Sequence, residues 1–389
     1  MGVCPSIFGG RMDTLSPDAR TWAEIDFNAL LHNFNIARRT GKKVMCVIKA
    51  DAYGHGAVRC GRFLERHGAD AFAVACLQEA LDLRAGGITK PILILGHTSA
   101  EYASQLASHT VTQTVVDESA AEELSEAARA AGVTVDVHIK LDTGMSRAGL
   151  LAQGAENGME AAKAAERICR LPNLHVSGMY THFSVADTPS EDAYTAWQLE
   201  NYMRVYNYLC EKGLRPETCH TSNSACILSH PETQIDMVRE GVILYGMYPD
   251  SVPQQGELRP VMTLKTRVSQ VRDLPAGTTV SYGRTYRSET PFRTAVVLAG
   301  YADGYPRRLS GNTTVTIRGK RYPQVGRICM DMCMANITGA DDVQRGDEVT
   351  LIGGDSITWE EAAEKVGTIN YELTCLITAR TRRIYVNED

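Results

Sequence analysis

The sequence predicts an α/β protein of two domains, an N-terminal (β/α)₈ barrel of the TIM type and a C-terminal, mainly antiparallel β domain. Two observations carry this prediction. Short apolar runs alternate with helix-forming segments over the first two-thirds of the chain, and a period of two residues replaces that pattern near Leu258. A polar stretch with turn-forming residues, DSVPQQGELRP, separates the two patterns. We therefore expect domain limits of 20–255 and 256–389.

Eight apolar runs indicate the barrel. Segments between them, such as CLQEALDLRAGG and SAAEELSEAARAAG, favour helices that end at glycine. Eight strands with helical crossovers in about 200 residues fit a parallel barrel, and the pattern alone leaves a doubly wound open sheet as the alternative. The predicted strands are Val44–Lys49, Ala71–Ala75, Ile92–Leu95, Gln113–Val116, Val135–Leu141, His175–Tyr180, Thr218–Thr221 and Met237–Val242.

Two helices have predicted ends. Ser190 is expected to cap a long helix that stops at Gly213. In the β domain, segments such as VMTLKTRVSQV and TAVVLAG predict antiparallel strands, because apolar and polar residues alternate. One helix interrupts these strands at TWEEAAEKVG, where Thr358 and Glu361 have the spacing of a capping box.

Composition narrows the class of protein. The 389 residues include 46 acidic and 40 basic side chains, and this net charge of −6 argues against a broad nucleic-acid-binding surface. No apolar run approaches the ~18 residues of a membrane span. The 11 scattered cysteines fit reduced thiols better than a disulfide framework. The start, MGVCPSIFGGRMD, does not resemble a secretory signal, so we expect a cytoplasmic protein without a membrane partner.

Lys49 is the first candidate for chemistry. It ends a predicted strand in VMCVIKADAYGHG, and strand ends face the active site of a parallel barrel. Partial desolvation behind an apolar strand would lower the pKa of its amine and make it nucleophilic, as Schiff-base formation requires. Its position alone favours a solvated lysine, because lysine side chains are normally exposed.

Nine motifs occur in an order that resembles one enzyme family. KADAYGHG, HIKLDTGMSRAG, GMYTHFSVAD, HTSNSA and MVREGVILYG lie in the first domain, and VSYGRTY, GYADGYPR, VGRICMDMCM and INYEL lie in the second. Together they resemble the alanine racemase family from about Thr21 onward. The resemblance implies pyridoxal 5′-phosphate as cofactor, interconversion of L- and D-alanine, D-alanine as a peptidoglycan precursor, and a homodimer.

The resemblance also implies the catalytic residues. Lys49 would hold the cofactor as a Schiff base and act as the base on one face of the substrate α-carbon. Tyr282, supplied by the partner subunit's β domain, would act on the other face. A free tyrosine titrates near ~10, so it needs help to act as a base. His182 is implied to give that help by linking Arg239 to Tyr282 through hydrogen bonds.

Arg239 is implied to face the pyridine nitrogen of the cofactor. An arginine donates hydrogen bonds but does not readily give up its proton. The pyridine ring would then be a weaker electron sink, which should suppress transamination. This hypothesis depends on the protonation state of the ring nitrogen.

The remaining binding roles also come from the resemblance. Arg147 is implied to position the substrate carboxylate, with Met330 and Asp331 of the partner subunit near the substrate. Lys140 is implied to be carbamylated and to hold Arg147, and an unmodified lysine paired with an acid is the alternative. The phosphate cradle is implied to comprise Tyr53, Ser224, Gly241, Val242 and Tyr371.

No metal site is predicted. Cys329, Cys333 and His182 do not complete a tetrahedral zinc set, and Asp303 and Asp331 form no metal-binding pattern. The spacing of these residues therefore gives no reason to expect a metal cofactor.

Three alternative functions remain open. A serine racemase or one of broader specificity is disfavoured by Tyr371, although a small-group difference gives only about 1–3 kcal/mol of discrimination. A non-enzymatic pyridoxal-phosphate-binding barrel would lack residues 258–389 and Tyr282. A decarboxylase of this fold would place an acid where Arg239 stands.

Overall fold

A computed structural model describes residues 20–249, 252 and 256–388, and it divides into two compact units. One unit comprises the described residues up to Asn28 and from Pro260 onward, and the other spans Ala29–Arg259. The domain limits 20–255 and 256–389 remain a prediction. In the structure, residues 20–28 group with the C-terminal strands. The N-terminal segment MGVCPSIFGGRMD, with Cys4, lies outside the described residues, as does part of the linker.

The unit from Ala29 to Arg259 consists of parallel strands and intervening helices. Strand β1 (Thr21–Asp26) precedes it and belongs to the other unit. The strands that follow are β2 (Lys43–Val47), β3 (Ala71–Val74), β4 (Ile92–Ile94), β5 (Val111–Val115), β6 (Val135–Asp142), β7 (Leu150–Leu151), β8 (Leu174–Tyr180), β9 (Thr218–His220) and β10 (Met237–Glu240). The helices are α1 (Phe27–Arg38), α2 (Lys49–Tyr53), α3 (Ala57–Arg66), α4 (Leu77–Ala85), α5 (Ala103–Ser108), α6 (Glu118–Ala131), α7 (Gly154–Cys169), α8 (Asp192–Glu211) and α9 (Ser224–Ser229).

Hydrogen bonds close these strands into a barrel. The order is β10-β2-β3-β4-β5-β6-β8-β9, all pairs are parallel, and the short β7 pairs with β6. The Asp236 N–H donates to the Cys219 carbonyl at 3.1 Å, and the Arg239 N–H donates to Ser222 at 3.0 Å. These bonds join the two ends of the order. The predicted (β/α)₈ barrel is therefore confirmed, and the open doubly wound sheet is wrong.

The packing of the barrel explains its near-continuous apolar runs. Every residue of β3 and β5 is buried, as expected for strands covered by helices on one face and by the barrel interior on the other.

The predicted start of α8 is wrong. Ser190 lies in a 3₁₀ turn, Pro189–Glu191, and the α-helix begins at Asp192 without a side-chain cap.

Among the described helices, none combines the length and the apolar character that a membrane span requires.

The second unit is mainly antiparallel, as predicted. Its remaining strands are β11 (Met262–Leu274), β12 (Thr279–Val280), β13 (Tyr286–Arg287), β14 (Phe292–Val297), β15 (Thr314–Ile317), β16 (Lys320–Val325), β17 (Cys333–Asn336), β18 (Glu348–Ile352) and β19 (Arg382–Val386). The order β14-β17-β16-β15-β18-β11 closes on itself because β11 also pairs with β14. Strand β1 pairs antiparallel with β11 and parallel with β19. Two helices, α10 (Trp359–Val366) and α11 (Asn370–Cys375), complete the unit.

The predicted capping box at α10 is confirmed. Thr358 Oγ1 accepts the N–H of Glu361 at 3.1 Å, and Glu361 Oε2 accepts the N–H of Thr358 at 2.8 Å. Each side chain satisfies a backbone donor that the helix itself leaves unpaired.

Glu240 is an unusual feature of the barrel wall. It is fully buried on β10 beside Cys46 of β2, and neither carboxyl oxygen has a hydrogen-bond partner among the described residues. Burial raises the pKa of Glu240 well above its ordinary value. The folded protein therefore holds this side chain in its neutral form at a pH at which the unfolded chain would ionise it.

We expect Glu240→Gln to stabilise the protein increasingly as pH rises from 4.5 to 8. Above the ordinary glutamate pKa, the unfolded chain releases a proton that the folded chain keeps, so stability falls by up to about 1.4 kcal/mol per pH unit. Glutamine removes this titration. Urea unfolding of both proteins across this range measures the difference, with the exposed Glu101→Gln as control. A constant difference at all pH values would contradict the burial account.

Candidate functional site

Lys49 begins a left-handed turn at the carboxyl end of β2. The following residues, Ala50–Tyr53, all have φ between 51° and 55°. This conformation costs roughly 1–2 kcal/mol per non-glycine residue, so the surrounding structure must hold it. One such contact is the Glu79 carboxylate, which accepts the N–H of Ala50 at 2.7 Å. The turn fixes the half-buried Lys49 at the end of the barrel where active sites lie.

Arg239 lies inside the barrel, where its side chain is bound by neutral acceptors. Nη1 donates to Nδ1 and the carbonyl oxygen of His220, at 2.9 and 3.0 Å. Nη2 donates to the carbonyl oxygens of Thr181 and Thr221, at 2.7 and 3.0 Å, and lies 3.3 Å from Nδ1 of His182. These five acceptors occupy all four terminal N–H groups, and one N–H of Nη2 is shared between two of them. The Nε–H therefore remains to donate to a further group.

The hydrogen bonds of Arg239 define the tautomers of its two histidine neighbours. Arginine only donates, so Nδ1 of His220 and Nδ1 of His182 must accept, and we assign each ring proton to Nε2. Burial, followed by the charge of Arg239, holds the pKa of both imidazoles well below the ordinary value. Both rings are neutral, and the Nε2–H of His182 is available as a donor.

Lys140 is the predicted site residue on β6, and it interacts electrostatically with Arg239. Lys140 is buried, and its amine has a pKa lowered to about 8. Burial is the main cause, and the charges of Arg147, Arg239 and Lys49 lower this pKa further, whereas Asp142 opposes them. The structure thus brings four predicted cationic residues together at the carboxyl ends of the strands.

The loop that follows β6 presents Arg147. The Asp142 carboxylate accepts the N–H groups of Gly144, Ser146 and Arg147, at 3.1, 2.9 and 2.9 Å. Gly149 then turns the chain back with φ of +125°, where a side chain would lie 2.8 Å from the β6 backbone. The loop backbone is therefore fixed while the Arg147 side chain stays exposed.

Three of the predicted phosphate-binding residues meet at one point. The Gly241 N–H donates to Ser224 Oγ at 3.0 Å. A Cβ placed on Gly241 would lie 3.4 Å from Tyr53 Oη and 3.5 Å from Ser224 Oγ, so only glycine leaves the space between these hydroxyls open. Val242 follows as the first residue of a 3₁₀ turn, Val242–Tyr245.

The other predicted site residues belong to the C-terminal unit. Tyr282 begins a short 3₁₀ turn and is 70% exposed, and Met330 is 52% exposed. Tyr371 is half-buried on α11. The functional roles of these three residues remain predictions.

The two acids considered for a metal site are bound by an arginine. Arg380 donates through Nε to Asp303 and through Nη2 to Asp331, each at 2.8 Å. Asp303 also accepts the N–H of Gly300 at 2.9 Å. The Asp303–Arg380–Asp331 bridge connects the segments that carry the GYADGYPR and VGRICMDMCM motifs.

Sequence reasoning assigned no role to His138, Tyr180 or His220. His220 binds Arg239, its ring stacks on Tyr180 at 4.9 Å, and its Nε2 lies 3.0 Å from Nδ1 of His138. A usable signal was present on β6, where His138, Lys140 and Asp142 alternate with apolar residues in a buried strand. Polar residues at a period of two in such a strand indicate a functional barrel interior.

A lysine at a barrel strand end, four convergent cations and an appended β unit together define a class of two-domain α/β-barrel enzymes. Comparison with known proteins identifies the family. Family models described as the alanine racemase N-terminal and C-terminal domains match residues 25–249 and 261–385. This chain therefore belongs to the alanine racemase family, which confirms the resemblance.

Individual relatives agree over nearly the whole chain. Alanine racemases of Desulfovibrio desulfuricans and Methanococcus maripaludis are each 43% identical, covering 96% and 94% of this chain and 100% and 98% of their own. The alanine racemase structure of Clostridium difficile 630 has a TM-score of 0.89 at 38% identity, with 95% and 97% of the two chains covered. That of Bacillus anthracis with bound L-Ala-P has a TM-score of 0.85 at 35% identity, with 95% and 96% covered.

For pyridoxal 5′-phosphate, the cofactor that the resemblance implies, we expect Gly241→Ala to weaken binding about tenfold or more, because its methyl group would occupy the space between the two hydroxyls. Absorbance titration of the apoprotein measures the dissociation constant. Gly158→Ala on α7 is the control, since the atoms nearest to its methyl group belong to the flexible side chain of Arg204. Equal affinities for wild type and Gly241→Ala would show that the phosphate binds elsewhere.

Proposed function

We propose that this protein interconverts L- and D-alanine with pyridoxal 5′-phosphate as its cofactor. The convergence of Lys49, Lys140, Arg147 and Arg239 at the strand ends carries the proposal. A site with this charge suits a phosphorylated cofactor and a substrate that bears a carboxylate. The names of its relatives support alanine as that substrate.

The residues present fit pyridoxal 5′-phosphate. The open space at Gly241, lined by the hydroxyls of Tyr53 and Ser224, suits the phosphate. The Lys49 amine suits a Schiff base with the aldehyde, and the Nε–H of Arg239 suits the ring nitrogen. When bound, the cofactor supplies the electron sink that makes the substrate α-proton acidic.

Two bases of this chain would handle the α-proton. Lys49 Nζ would take or return it on one face, and the Tyr282 Oη of the partner subunit would do so on the other. The neutral His182 supports the second assignment, because an Nε2–H donor would stabilise the tyrosinate and lower the pKa of the phenol. Its Nδ1, which lies near Arg239, cannot serve that purpose.

The proposed assembly is a head-to-tail homodimer with two shared sites. Exposed apolar side chains support it: Tyr282, Met330, Tyr301 and Met332 are 70%, 52%, 42% and 41% exposed in the C-terminal unit. Apolar groups of this size mark contact surfaces when they cluster. The Tyr301 N–H donates to the Cys329 carbonyl and the Cys329 N–H donates to the Met332 carbonyl, which keeps Tyr301, Met330 and Met332 on adjoining segments. We also propose a cytoplasmic location. The 11 cysteines are odd in number and scattered along the chain, which fits the reduced thiols of a cytoplasmic protein.

Substrate selection is proposed to depend on Arg147 and Tyr371. Arg147 would bind the α-carboxylate, since a guanidinium can donate two parallel hydrogen bonds to it. Met330 of the partner subunit would contribute its backbone N–H at the substrate. The phenol of Tyr371, beyond its part in phosphate binding, would restrict the side chain to a methyl group.

Carbamylation of Lys140 is part of the proposal. An amine with a pKa of about 8 is partly neutral near that pH, and the neutral form is the one that adds carbon dioxide. The resulting anion would offset the charges of Arg147 and Arg239.

We predict that purified protein will racemise L-alanine in a chiral assay and that L-serine will react at least about tenfold more slowly. Lys49→Ala should lose both the activity and the visible absorbance of the bound cofactor. Comparable rates for the two amino acids would favour the broader racemase. Absence of cofactor absorbance in the wild-type protein would contradict the proposed function as a whole.

We predict that mixing Lys49→Ala with Tyr282→Phe subunits will restore activity. A mixed dimer has one site with both lesions and one intact site, so random exchange should recover about a quarter of wild-type activity. Each variant alone is the control. Failure to recover activity, with mixed dimers shown by mass spectrometry, would mean that both bases come from one chain.

We predict a carbamate signal in the ¹³C NMR spectrum of protein equilibrated with ¹³CO₂ near pH 8. The signal should be absent in Lys140→Met and retained in Lys163→Met, which changes an exposed lysine on α7. A spectrum identical for wild type and Lys140→Met would support the unmodified lysine.

A further inference from the structure

The barrel interior contains a pair of histidines next to Arg239. The one farther from Arg239 along the hydrogen bonds, His138, has no part in the proposed mechanism. His138 of β6 and His220 of β9 are 7% and 0% exposed. Nδ1 of His138 lies 3.0 Å from Nε2 of His220, whose Nδ1 lies 2.9 Å from Nη1 of Arg239. The three side chains form one continuous hydrogen-bonded series.

The series has a single possible direction. Arg239 only donates, so Nδ1 of His220 must accept, and a neutral imidazole then carries its proton on Nε2. That proton points at Nδ1 of His138, which must therefore accept as well. A protonated His220 would place a donor against Arg239, and burial, followed by the charge of Arg239, lowers the pKa of His220.

The packing holds both rings in the orientation that this series requires. Gly178, the β8 register partner of His138, would place a Cβ 2.4–2.5 Å from the His138 ring. A side chain at position 178 would therefore displace that ring. On the other side, Tyr180 stacks on His220 with an interplanar angle of 5°, and its hydroxyl lies 3.0 Å from Thr114 Oγ1.

We propose that His138 is a positioning residue for Arg239. By accepting the Nε2–H of His220, it holds His220 in the tautomer that can accept from the guanidinium. Together with the carbonyl acceptors, this contact fixes the plane of Arg239 and so the direction of its Nε–H. The inference rests on the proposed function only for the identity of the group that this N–H reaches.

Loss of the His138 acceptor has a definite consequence. The Nε2–H of His220 would be buried without a partner, which is costlier than an ordinary unmade hydrogen bond. Moving the proton to Nδ1 would relieve Nε2 but would set two donors face to face at Arg239. In the second case the guanidinium would lose Nδ1 of His220 as an acceptor, and its orientation would depend on the remaining acceptors.

A matched pair of variants separates the acceptor from the packing. In His138→Asn the amide oxygen can take the place of Nδ1, whereas His138→Leu fills more volume but offers no acceptor. Gly178→Ala is a third variant, which keeps the imidazole but displaces it. The readouts on the holoenzyme are the ¹⁵N chemical shifts of the His220 ring and the ratio of transamination to racemisation of alanine.

We expect wild type and His138→Asn to show an unprotonated Nδ1 and a protonated Nε2 at His220. In His138→Leu and Gly178→Ala these shifts should change, and the ratio of transamination to racemisation should rise about five- to tenfold, as loss of one hydrogen bond would give. Wild-type shifts and an unchanged ratio in His138→Leu would overturn the proposal, as would a protonated Nδ1 in the wild type. If the wild type does not racemise alanine, the proposed function fails, and the ¹⁵N shifts still decide this inference.

Discussion

The burial of one guanidinium without a carboxylate partner is the constraint on which the barrel interior depends. Arg239 is 4% exposed, and no acid pairs with it among the described residues. A charge taken out of water must be compensated, and here three carbonyl oxygens, two imidazole nitrogens and the face of Tyr180 provide the compensation. Even so, burial lowers the pKa of Arg239 to about 10.

This constraint determines the character of the surrounding residues. Every polar atom within hydrogen-bond distance of the guanidinium must accept, so the histidines near it are neutral, and burial lowers the pKa of His138 to about 3. The other cations at the strand ends, Lys49, Lys140 and Arg147, add to the positive potential. Such a site binds anions readily, while the neutral histidines let Arg239 donate without competition. The proposed cofactor chemistry follows from this combination.

The sequence predicts features whose signal lies in neighbouring residues. It does not predict contacts between residues that are far apart along the chain. The eight buried runs predicted the barrel, and the spacing of Thr358 and Glu361 predicted a capping box, because each run and the capping box are short, local patterns of residues. The pairing of His138 with His220 joins positions 82 apart, and β1 pairs with a strand more than 230 positions away, so neither could be inferred from periodicity. The left-handed turn at Ala50–Tyr53 runs against the intrinsic preference of its residues and is held by tertiary contacts. The sequence around the turn therefore could not predict it. The motif resemblance supplied Lys49 and Arg239, and the geometry added the residues that orient them.

The most direct test of the role of Arg239 is the ¹⁵N chemical shift of the ring nitrogen in holoenzyme that contains ¹⁵N-labelled pyridoxal 5′-phosphate. A guanidinium held by neutral acceptors donates a hydrogen bond but keeps its proton. The account therefore predicts the shift of an unprotonated, hydrogen-bonded pyridine across the pH range of activity. The shift of a protonated pyridinium would contradict it.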